Sequence, residues 1–421
     1  MRLRKSTKAA AVATLALASV TYGGPIPPAS AATKSKINLT IWDQQQSSKN
    51  IASGYKGVFA AFEKANPGVT VTIHTFPYSE YEAKLLTALK GGTGPDVFTT
   101  DEIWTSTFAA AGVIEPLTSY LRSSTIKASE FFAPAWATNV YKGQVWGVPL
   151  NFDVWEQMYY NVDMFKKAGI AGPPKTWPQM LADAKKLNDP PKQFGVDLIG
   201  CQSEATSTLV DSFIYSNGGT VIGPNGKAAF ATTPDMQALS YYKALAAYAP
   251  KGVVNSCEAD QDAEFVAGKV AMIFDGDWEQ DTFNSEAHFK WGVAVPPAPV
   301  GKHFVGDLGG WNLVINKKSP DQATAFKLIE FLSQPANEEA VNSLIPALKS
   351  AGSAFVKHNR KAPGLITHIL NTSKPRPISP EYLSVSNIEQ AMVEKILEGT
   401  PVAKAGKSAD SQIDSTLASS S

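Results

Sequence analysis

Residues 141–161, YKGQVWGVPLNFDVWEQMYYN, hold two apolar, strand-like segments around a short polar and aromatic stretch. Proline lacks a backbone donor and fixes φ, so Pro149 is a poor centre for a sheet strand and suits a crossing between domains. We interpret the stretch as a hinge whose gap-facing residues are Asn151, Phe152, Asp153 and Trp155. An ordinary pair of core strands joined by a proline kink explains the same residues, so both interpretations stay open at this point.

The length and charge of the chain restrict its architecture and its partners. A chain of 421 residues exceeds what one hydrophobic core usually holds, so two domains are expected. Hydrophobic residues make up 44% and charged residues 18% of the sequence, which is typical of a globular protein. A formal net charge of zero argues against nucleic acid or a membrane surface as an electrostatic partner.

The first 31 residues have the three features of a secretory signal peptide. A basic start is followed by an apolar run over residues 9–20 that is too short to span a bilayer. Small residues at Ala29-Ser30-Ala31 form a cleavage site, so the mature chain is expected to begin near Ala32. We therefore expect an exported protein, periplasmic or extracellular. No cysteine lies near the cleavage site, so a lipid-modified amino terminus is not expected.

Strand and helix patterns alternate over residues 37–112, which is the order that builds a parallel sheet covered on both faces. In such sheets ligands bind outside the carboxyl ends of the strands. Polar or aromatic residues follow the predicted strands on that side, namely Asp43, Gln44, Gln45, Gln46, Tyr78, Asp101 and Trp104. A solvated loop would account for the glutamines equally well.

Two tryptophans in the second half of the chain adjoin glycines and polar residues. Trp278 follows Asp275-Gly276-Asp277, and Trp311 follows Gly309-Gly310. Glycine lets a ligand approach the backbone closely, and an indole beside it offers a flat apolar face. A single tryptophan is more often part of a core, but these surroundings favour a ligand-facing position for both.

The two cysteines and the absent motifs limit the chemistry. Outside the cytosol, Cys201 and Cys257 are expected to form a disulfide, with two buried thiols as the alternative. The five histidines lack metal-ligand spacing, and neither a phosphate-binding loop nor a GxSxG motif is present. No catalytic residue, metal or cofactor is therefore predicted. A carboxylate pair, Asp275 with Asp277 or Glu279, leaves glycoside hydrolysis as a lesser alternative.

Several stretches, taken in order, resemble the extracellular solute-binding proteins of family 1, the sugar-binding components of ABC importers. They are FEKANPGVTV with GPDVF, GVIEPL, VWGVPLNFDVWEQMYYNVDMFKKAGI with PKTWPQM, FVAGKVAMIFDGDW, and GGWNLVINKKSPDQATAFKLIEFLS. The resemblance implies an α/β, two-lobed periplasmic-binding-protein-like (type II) fold, each lobe a mainly parallel sheet flanked by helices, with a hinge between the lobes. We expect residues 32–148 and 309–352 in the first lobe, and residues 149–308 and 353–421 in the second.

The resemblance also implies a function. The chain would capture an oligosaccharide or another sugar in the interlobe cleft by hinge closure, as a monomer that delivers it to ABC permease subunits. The ligand-binding residues implied are Gln44, Gln45, Tyr78, Asp101, Trp104, Asn151, Asp153, Asp275, Gly276, Trp278, Gly310, Trp311 and Arg376. A polyamine or other solute is the second hypothesis, because the acids Asp43, Asp101, Asp153 and Asp275 would suit a cation. An exported carbohydrate-active enzyme is the third.

Overall fold

The computed structural model describes residues 36–44 and 49–419. The predicted signal peptide and Gln45 lie outside the described residues, and for Tyr78 only the backbone is described. The strands are β1 Ile37–Asp43, β2 Val69–Thr75, β3 Val97–Asp101, β4 Val140–Tyr141, β5 Gln144–Val145, β6 Val148–Val154, β7 Gln157–Asn161, β8 Met272–Asp275, β9 Trp291–Ala294, β10 Asp307–Ile315, β11 Ile345–Pro346 and β12 Lys374–Pro375.

Helices occupy most of the remaining described chain. They are α1 Lys49–Ala65, α2 Tyr78–Gly91, α3 Glu102–Ala110, α4 Thr118–Leu121, α5 Ala133–Ala137, α6 Val162–Lys167, α7 Trp177–Leu187, α8 Glu204–Ser216, α9 Thr233–Ala246, α10 Glu258–Val266, α11 Glu279–Glu286, α12 Gln322–Leu332, α13 Pro335–Val341, α14 Lys349–Asn359, α15 Pro363–Thr372, α16 Tyr382–Leu397 and α17 Val402–Ser419. Short 3-10 helices lie at Ala128–Glu130 and Val253–Asn255. Among the described residues, no helix combines the length and the apolar character needed to cross a bilayer.

The first lobe is built on a sheet with the strand order β11-β6-β10-β3-β1-β2, and β12 pairs with β10. Strand β1 pairs in parallel with β2 and β3, whereas β10 is antiparallel to β3 and β6. Every residue of β3, β6 and β10 is buried, because helices cover both faces of the sheet. The predicted two-lobed α/β fold is confirmed, but this sheet is mixed rather than mainly parallel.

The second lobe is built on a three-stranded sheet of order β8-β7-β9, in which both pairings are antiparallel. The expectation of a mainly parallel sheet is wrong here, because β7 enters from the first lobe and lies between two strands that run against it. Helices α7, α8, α9, α16 and α17 pack together over one face of this sheet. The Cys201–Cys257 disulfide lies in this lobe and joins the segment before α8 to the start of α10.

Three connections join the two sheets, namely residues 155–156 between β6 and β7, residues 295–306 between β9 and β10, and residues 376–381 between β12 and α16. The predicted crossing at Pro149 is wrong, because Pro149 lies within β6. The pairing of β6 with β10 shifts register between Trp311 and Asn312, opposite Pro149. Proline is tolerated in a strand at such a bulge, because no regular ladder hydrogen bond is lost.

The carboxy-terminal boundary also differs from the prediction. Helices α14 and α15 bury Phe355, Val356, Ile366 and Ile369 in the apolar core of the first lobe, whereas Val385 and Met392 of α16 belong to the core of the second. Residues 353–372 therefore lie in the first lobe, and the chain passes to the second lobe only after β12. The amphipathic pattern of α14 and α15 shows that one face is buried but does not say against which lobe.

Two glycines of α1 provide a matched test of helix packing. A methyl group at Gly54 would overlap the backbone carbonyl of Ala340 in α13, whereas Gly57 has nothing within 4 Å of the same position. Gly54→Ala is therefore expected to lower the free energy of unfolding by about 1–3 kcal/mol through overpacking. Gly57→Ala should raise it by roughly 0.5–1 kcal/mol, because alanine is the better helix former. Urea unfolding of both variants checks this, and an equal effect would contradict the packing of α1 on α13.

Candidate ligand-binding site

Arg376, at the start of the third connection, is the centre of a buried charged cluster. The residue is only 2% exposed. One terminal nitrogen lies 2.8 Å from Glu204 Oε1, and the other lies 3.3 Å from both Asp101 Oδ1 and Glu102 Oε1. The Nε atom lies 3.8 Å from Asp307 Oδ2. We call these five residues the arginine cluster. It joins α3 of the first lobe to α8 of the second.

Each of the three connections brings an ionisable side chain to this region. Glu156 comes from the first connection, Asp307 stands at the end of the second, and Arg376 begins the third. The backbone N–H of Asp307 donates to Glu156 Oε2 at 2.9 Å. All three side chains are at most 2% exposed. These ionisable groups therefore lie where the backbone would have to bend in any movement of one lobe against the other.

A second buried arginine also links the lobes. Arg360, between α14 and α15, donates from Nε to Asp277 Oδ2 at 2.7 Å, and Asp277 follows β8 in the second lobe. The other oxygen of Asp277 accepts from the backbone N–H of Val154 at 3.4 Å. Next to it, the Lys361 N–H donates to Gln280 Oε1 at 2.7 Å. In this conformation the guanidinium groups of Arg376 and Arg360 therefore both link the two lobes.

Burial raises the pKa of the carboxyl groups around Arg376. The pKa of Glu102 rises to about 8 and that of Asp101 to about 6, because desolvation outweighs the attraction of the guanidinium in both cases. Burial likewise raises the pKa of Glu156 and Asp307 well above the usual range. Burying several carboxyl groups beside a single cation therefore costs desolvation free energy, which lowers the stability of the folded protein.

The raised pKa of Glu102 predicts a pH dependence of stability. A carboxyl group with a higher pKa in the folded chain binds its proton more tightly there, so its contribution is greatest at low pH and is lost as pH rises. Relative to Glu102→Gln, the wild-type protein should lose roughly 2 kcal/mol of unfolding free energy between pH 6 and pH 8. Urea unfolding across this range measures it. Glu80→Gln, an exposed acid, should follow the wild-type curve, and parallel curves for Glu102→Gln would contradict the prediction.

Trp155 and Trp278 form an aromatic pair beside the first connection. Their ring centroids are 5.1 Å apart and the planes meet at 82°, so one ring presents its edge to the other. Both side chains are only half-buried. A methyl group at Gly276 would overlap the Trp278 ring, and one at Gly309 would overlap the Trp155 indole nitrogen. The two glycines are therefore what lets each ring lie directly against the backbone.

Two polar atoms beside Gly309 have no hydrogen-bond partner among the described residues. They are Asp153 Oδ1 and Trp155 Nε1, and both atoms are buried. A methyl group at Gly309 would overlap both of them, so the acceptor and the donor lie on the same side of β10. Buried polar groups in folded proteins are nearly always paired. An unpaired acceptor and an unpaired donor beside two tryptophan rings are therefore the arrangement that a hydroxyl-bearing ligand could complete.

Asn151 and Gly310, both predicted to bind ligand, have evident roles in the pairing of β6 with β10. The Trp311 N–H donates to Asn151 Oδ1 at 3.1 Å, and Asn151 Nδ2 donates to Asn342 Oδ1 at 2.7 Å. Gly310 has φ 144°, and a methyl group there would lie 2.5 Å from the Asn151 carbonyl oxygen. The hydrogen bonds of its side chain at the bulge account for Asn151, and the close contact between β6 and β10 accounts for Gly310.

Trp104 and Trp311 lie in an apolar cluster on one face of the larger sheet, together with Tyr81 and Phe98. They are 2% and 5% exposed, and their ring centroids are 5.7 Å apart in an edge-to-face arrangement. In this conformation the two rings pack on each other, so the ligand-binding role expected for each of them stays a prediction. The glycines before Trp311 suggested an accessible ring in the sequence. In the structure they allow other residues to pack closely against β10.

The remaining predicted residues contact mainly their own lobe. Asp275 accepts from Gln261 Nε2 at 2.9 Å and from the Gly276 N–H at 2.6 Å, so both its oxygens are engaged. Burial raises the pKa of Asp275, and neighbouring acids such as Glu258 add to the effect. The backbone N–H of Gln44 donates to Thr99 Oγ1 at 3.4 Å, and its side chain is buried. The described residues include no group of three or more His, Cys, Asp or Glu side chains placed to hold a metal ion.

Asp101 and Arg376, both predicted to bind ligand, lie 3.3 Å apart, and each is engaged by the protein itself. Asp101 Oδ1 accepts from the Ile103 N–H at 3.3 Å and so caps α3. Glu102, Glu156 and Glu204 were missed, although they surround the same guanidinium or its partner. A helix-starting acid such as Glu204 is common, and nothing local in the sequence indicates a partner 172 residues away.

Comparison with known proteins places this geometry in a family. The profile of the bacterial extracellular solute-binding proteins matches residues 46–339. The chain belongs to this family. Two relatives are a putative binding protein of Brucella abortus and a maltooligosaccharide ABC transporter solute-binding lipoprotein of Streptococcus pneumoniae. The first is 26% identical and the match covers 88% of this chain and 90% of the relative. The second is 27% identical, with 90% and 88% covered.

Solved structures of the family share the fold. A solute-binding protein of Thermotoga lettingae bound with α-D-tagatose superposes with a TM-score of 0.78 at 30% identity, covering 90% of this chain and 100% of that one. Maltose-bound MalE3 of T. maritima gives a TM-score of 0.76 at 25% identity, covering 90% and 99%. The two-lobed architecture is therefore shared over 90% of this chain.

Proposed function

We propose that the protein is the substrate-binding component of an ABC carbohydrate importer and that it binds a saccharide reversibly between its lobes. The observation that carries the proposal is the Trp155–Trp278 pair beside two buried polar atoms without partners in the described chain, Asp153 Oδ1 and Trp155 Nε1. Indole faces suit the C–H faces of a sugar ring, and a fixed acceptor and donor suit its hydroxyl groups. The sugar-binding names of the relatives support the same ligand class.

The mechanism follows from the three connections. A ligand that touches both lobes favours the closed conformation, because only there are all its contacts made. The hinge would lie at residues 155–156, 295–306 and 376–381, with the arginine cluster beside it.

No covalent step is required, so we propose a binding protein rather than an enzyme. It would be exported, act as a monomer and deliver the saccharide to membrane permease subunits, without nucleic acid or cofactor. Gln45 and Tyr78 remain predicted ligand residues.

A thermal-shift panel of monosaccharides, oligosaccharides and polyamines tests the ligand class. A saccharide at 100 times its Kd should add about 2.7 kcal/mol to the stability of the folded protein. Small-angle scattering at saturating ligand should show a smaller radius of gyration. Stabilisation by polyamines alone would favour the second hypothesis, and consumption of the saccharide in a parallel assay would favour an enzyme.

Variants at the aromatic pair test the site itself. Trp278→Ala should weaken saccharide binding by about tenfold or more, equivalent to about 1.4 kcal/mol, through loss of one ring face. Trp291→Ala is the matched control, because Trp291 is also half-buried in the second lobe but packs on Tyr159 and Phe283 at the opposite face of its sheet. Equal affinities of the wild type and Trp278→Ala, measured by titration calorimetry, would remove Trp278 from the site.

A further inference from the structure

We propose that the site takes a short saccharide of one or two sugar units, because the two guanidinium contacts between the lobes, those of Arg376 and Arg360, limit it on opposite sides. This inference rests on the proposed function and narrows the class of saccharide within it. Its basis is where the strands of the first lobe place the aromatic pair relative to the two arginines. The limit is one of space and existing hydrogen bonds, so it holds whether the neighbouring acids are ionised or neutral.

The strand order β11-β6-β10-β3 sets the positions at the hinge edge of the larger sheet. The start of β11 lies on one side of the end of β6, because Ile345 pairs with Phe152. The end of β3 lies beyond β10 on the other side, because Asp101 pairs with Trp311. Neighbouring strands are about 4.8 Å apart, so roughly 14 Å separates β11 from β3. The end of β6, which Trp155 directly follows, lies between them.

Arg376 closes the β3 side of the site. Its terminal nitrogens contact Asp101 of the first lobe at 3.3 Å and Glu204 of the second at 2.8 Å. Its Cζ atom lies over the Trp155 ring, 5.9 Å from the centroid. Behind it, the buried Tyr382 donates from its hydroxyl to Glu204 Oε1 at 2.6 Å. A sugar ring on the aromatic pair therefore meets a filled space between the lobes in this direction.

Arg360 closes the β11 side. Its Nε donates to Asp277 Oδ2 at 2.7 Å, and a terminal nitrogen donates to the carbonyl oxygen of Ser343, just before β11, at 3.1 Å. Asp277 directly precedes Trp278, and its backbone N–H donates to the Val154 carbonyl oxygen at 3.2 Å. This contact between the lobes therefore lies next to the aromatic pair, on the side away from Arg376.

The aromatic pair itself offers a small stacking area. The ring planes meet at 82° with their centroids 5.1 Å apart, so the edge of one ring lies against the other ring. Arg376 already lies over the Trp155 ring, and the Trp278 ring lies against the backbone at Gly276. The pair therefore suits the stacking of a single sugar ring, with space for a second unit before either arginine is reached.

A third sugar unit would have to displace one of the arginines or point away from the space between the lobes. Displacing an arginine leaves buried hydrogen-bonding groups without partners, which costs more free energy than a new sugar contact returns. A unit outside the two limits contacts solvent rather than protein and adds little affinity. We therefore expect affinity to increase with chain length only up to two units.

Oligosaccharide series of increasing length test the inference in the wild-type protein. Titration calorimetry at pH 7.5 compares one to five units of glucose, galactose, mannose and xylose, and of any other sugar that stabilises the protein in the panel. In each series that binds, lengthening from two to three or more units should raise the affinity by less than about threefold. A rise of threefold or more overturns the inference while leaving the proposed function intact. If no saccharide of any length binds, the proposed function itself fails.

A variant assigns one of the two limits to Arg360. Arg360→Ala removes the guanidinium from the β11 side, so three- and four-unit oligomers should now bind at least about threefold more tightly than two units. Arg122→Ala, which truncates an exposed arginine, should show the same length dependence as the wild type. If folded Arg360→Ala also keeps the wild-type length dependence, the role assigned to Arg360 is wrong. The wild-type series needs no variant, so a folding defect in Arg360→Ala leaves the length limit testable.

Discussion

Replacing Arg376 by methionine should lower the free energy of unfolding by about 3–5 kcal/mol, because it leaves buried carboxyl groups without their cation. Asp101, Glu102 and Glu204 all lie within 3.3 Å of this guanidinium, and Arg376 is 2% exposed. Methionine fills a similar volume, so the loss of unfolding free energy would come from the missing charge and hydrogen bonds rather than from a cavity. Urea unfolding at pH 7.5 measures it.

Two further variants test whether the loss of stability is specific to the buried guanidinium of Arg376. Arg122→Met removes an arginine whose side chain is exposed, and it should change stability by less than about 0.5 kcal/mol. Arg376→Lys keeps the charge but loses the planar fork that contacts several carboxylates at once, so its stability should lie between those of the wild type and Arg376→Met. A loss below about 1 kcal/mol in Arg376→Met would mean that the acids are held neutral without the arginine.

Removing the disulfide should cost roughly 4 kcal/mol, the largest effect expected in the second lobe. The bridge joins residues 56 apart in the sequence, and the chain-entropy model gives about 4 kcal/mol for a loop of that size. The double variant Cys201→Ala with Cys257→Ala should therefore unfold at a lower urea concentration. Near the bridge, the N–H groups of Gly200 and Cys201 donate to the Ser256 carbonyl oxygen at 2.9 and 3.1 Å, so the local fold should survive.

The reduced wild-type protein is the control for the disulfide. Its midpoint in the presence of a thiol reductant should coincide with that of the double alanine variant, whereas the oxidised protein should be more stable than both. Coincident curves for the oxidised protein and the double variant would show that the bridge does not stabilise the fold. Saccharide affinity should be unchanged, because Cys201 and Cys257 are absent from the proposed site.

Local patterns predicted the elements well where one face of each is buried. The alternating strand and helix patterns over residues 37–112 indicated the region in which β1, β2 and β3 form, and these strands pair as neighbours in the first lobe. Thr176 and Pro178 have the residue types typical of a helix start, and α7 begins there, with the Thr176 hydroxyl accepting from the Gln179 N–H at 3.4 Å. Capping and periodicity act within a few residues, so they can be read from the sequence.

The site was harder to predict, because its geometry depends on partners that are distant in sequence. Trp311 and Trp278 look alike in the sequence, because a glycine stands within the two positions before each of them. The structure packs Trp311 against Trp104 and leaves Trp278 half-buried beside Trp155. A tryptophan in or just after a strand can lie in a core or in a cleft, and the neighbouring sequence does not distinguish the two positions.

The sequence by itself determined the family, the two-lobed α/β fold and the region where polar and aromatic residues gather, because these follow from the order of short motifs and the burial pattern of each element. Only the tertiary structure decided where the chain crosses between lobes, which tryptophans pair, and that Arg376 serves Asp101 and Glu204 rather than standing free for a ligand. Those contacts join residues 275 and 172 positions apart. Their formation depends on how whole helices and strands pack, which no local preference of the chain specifies.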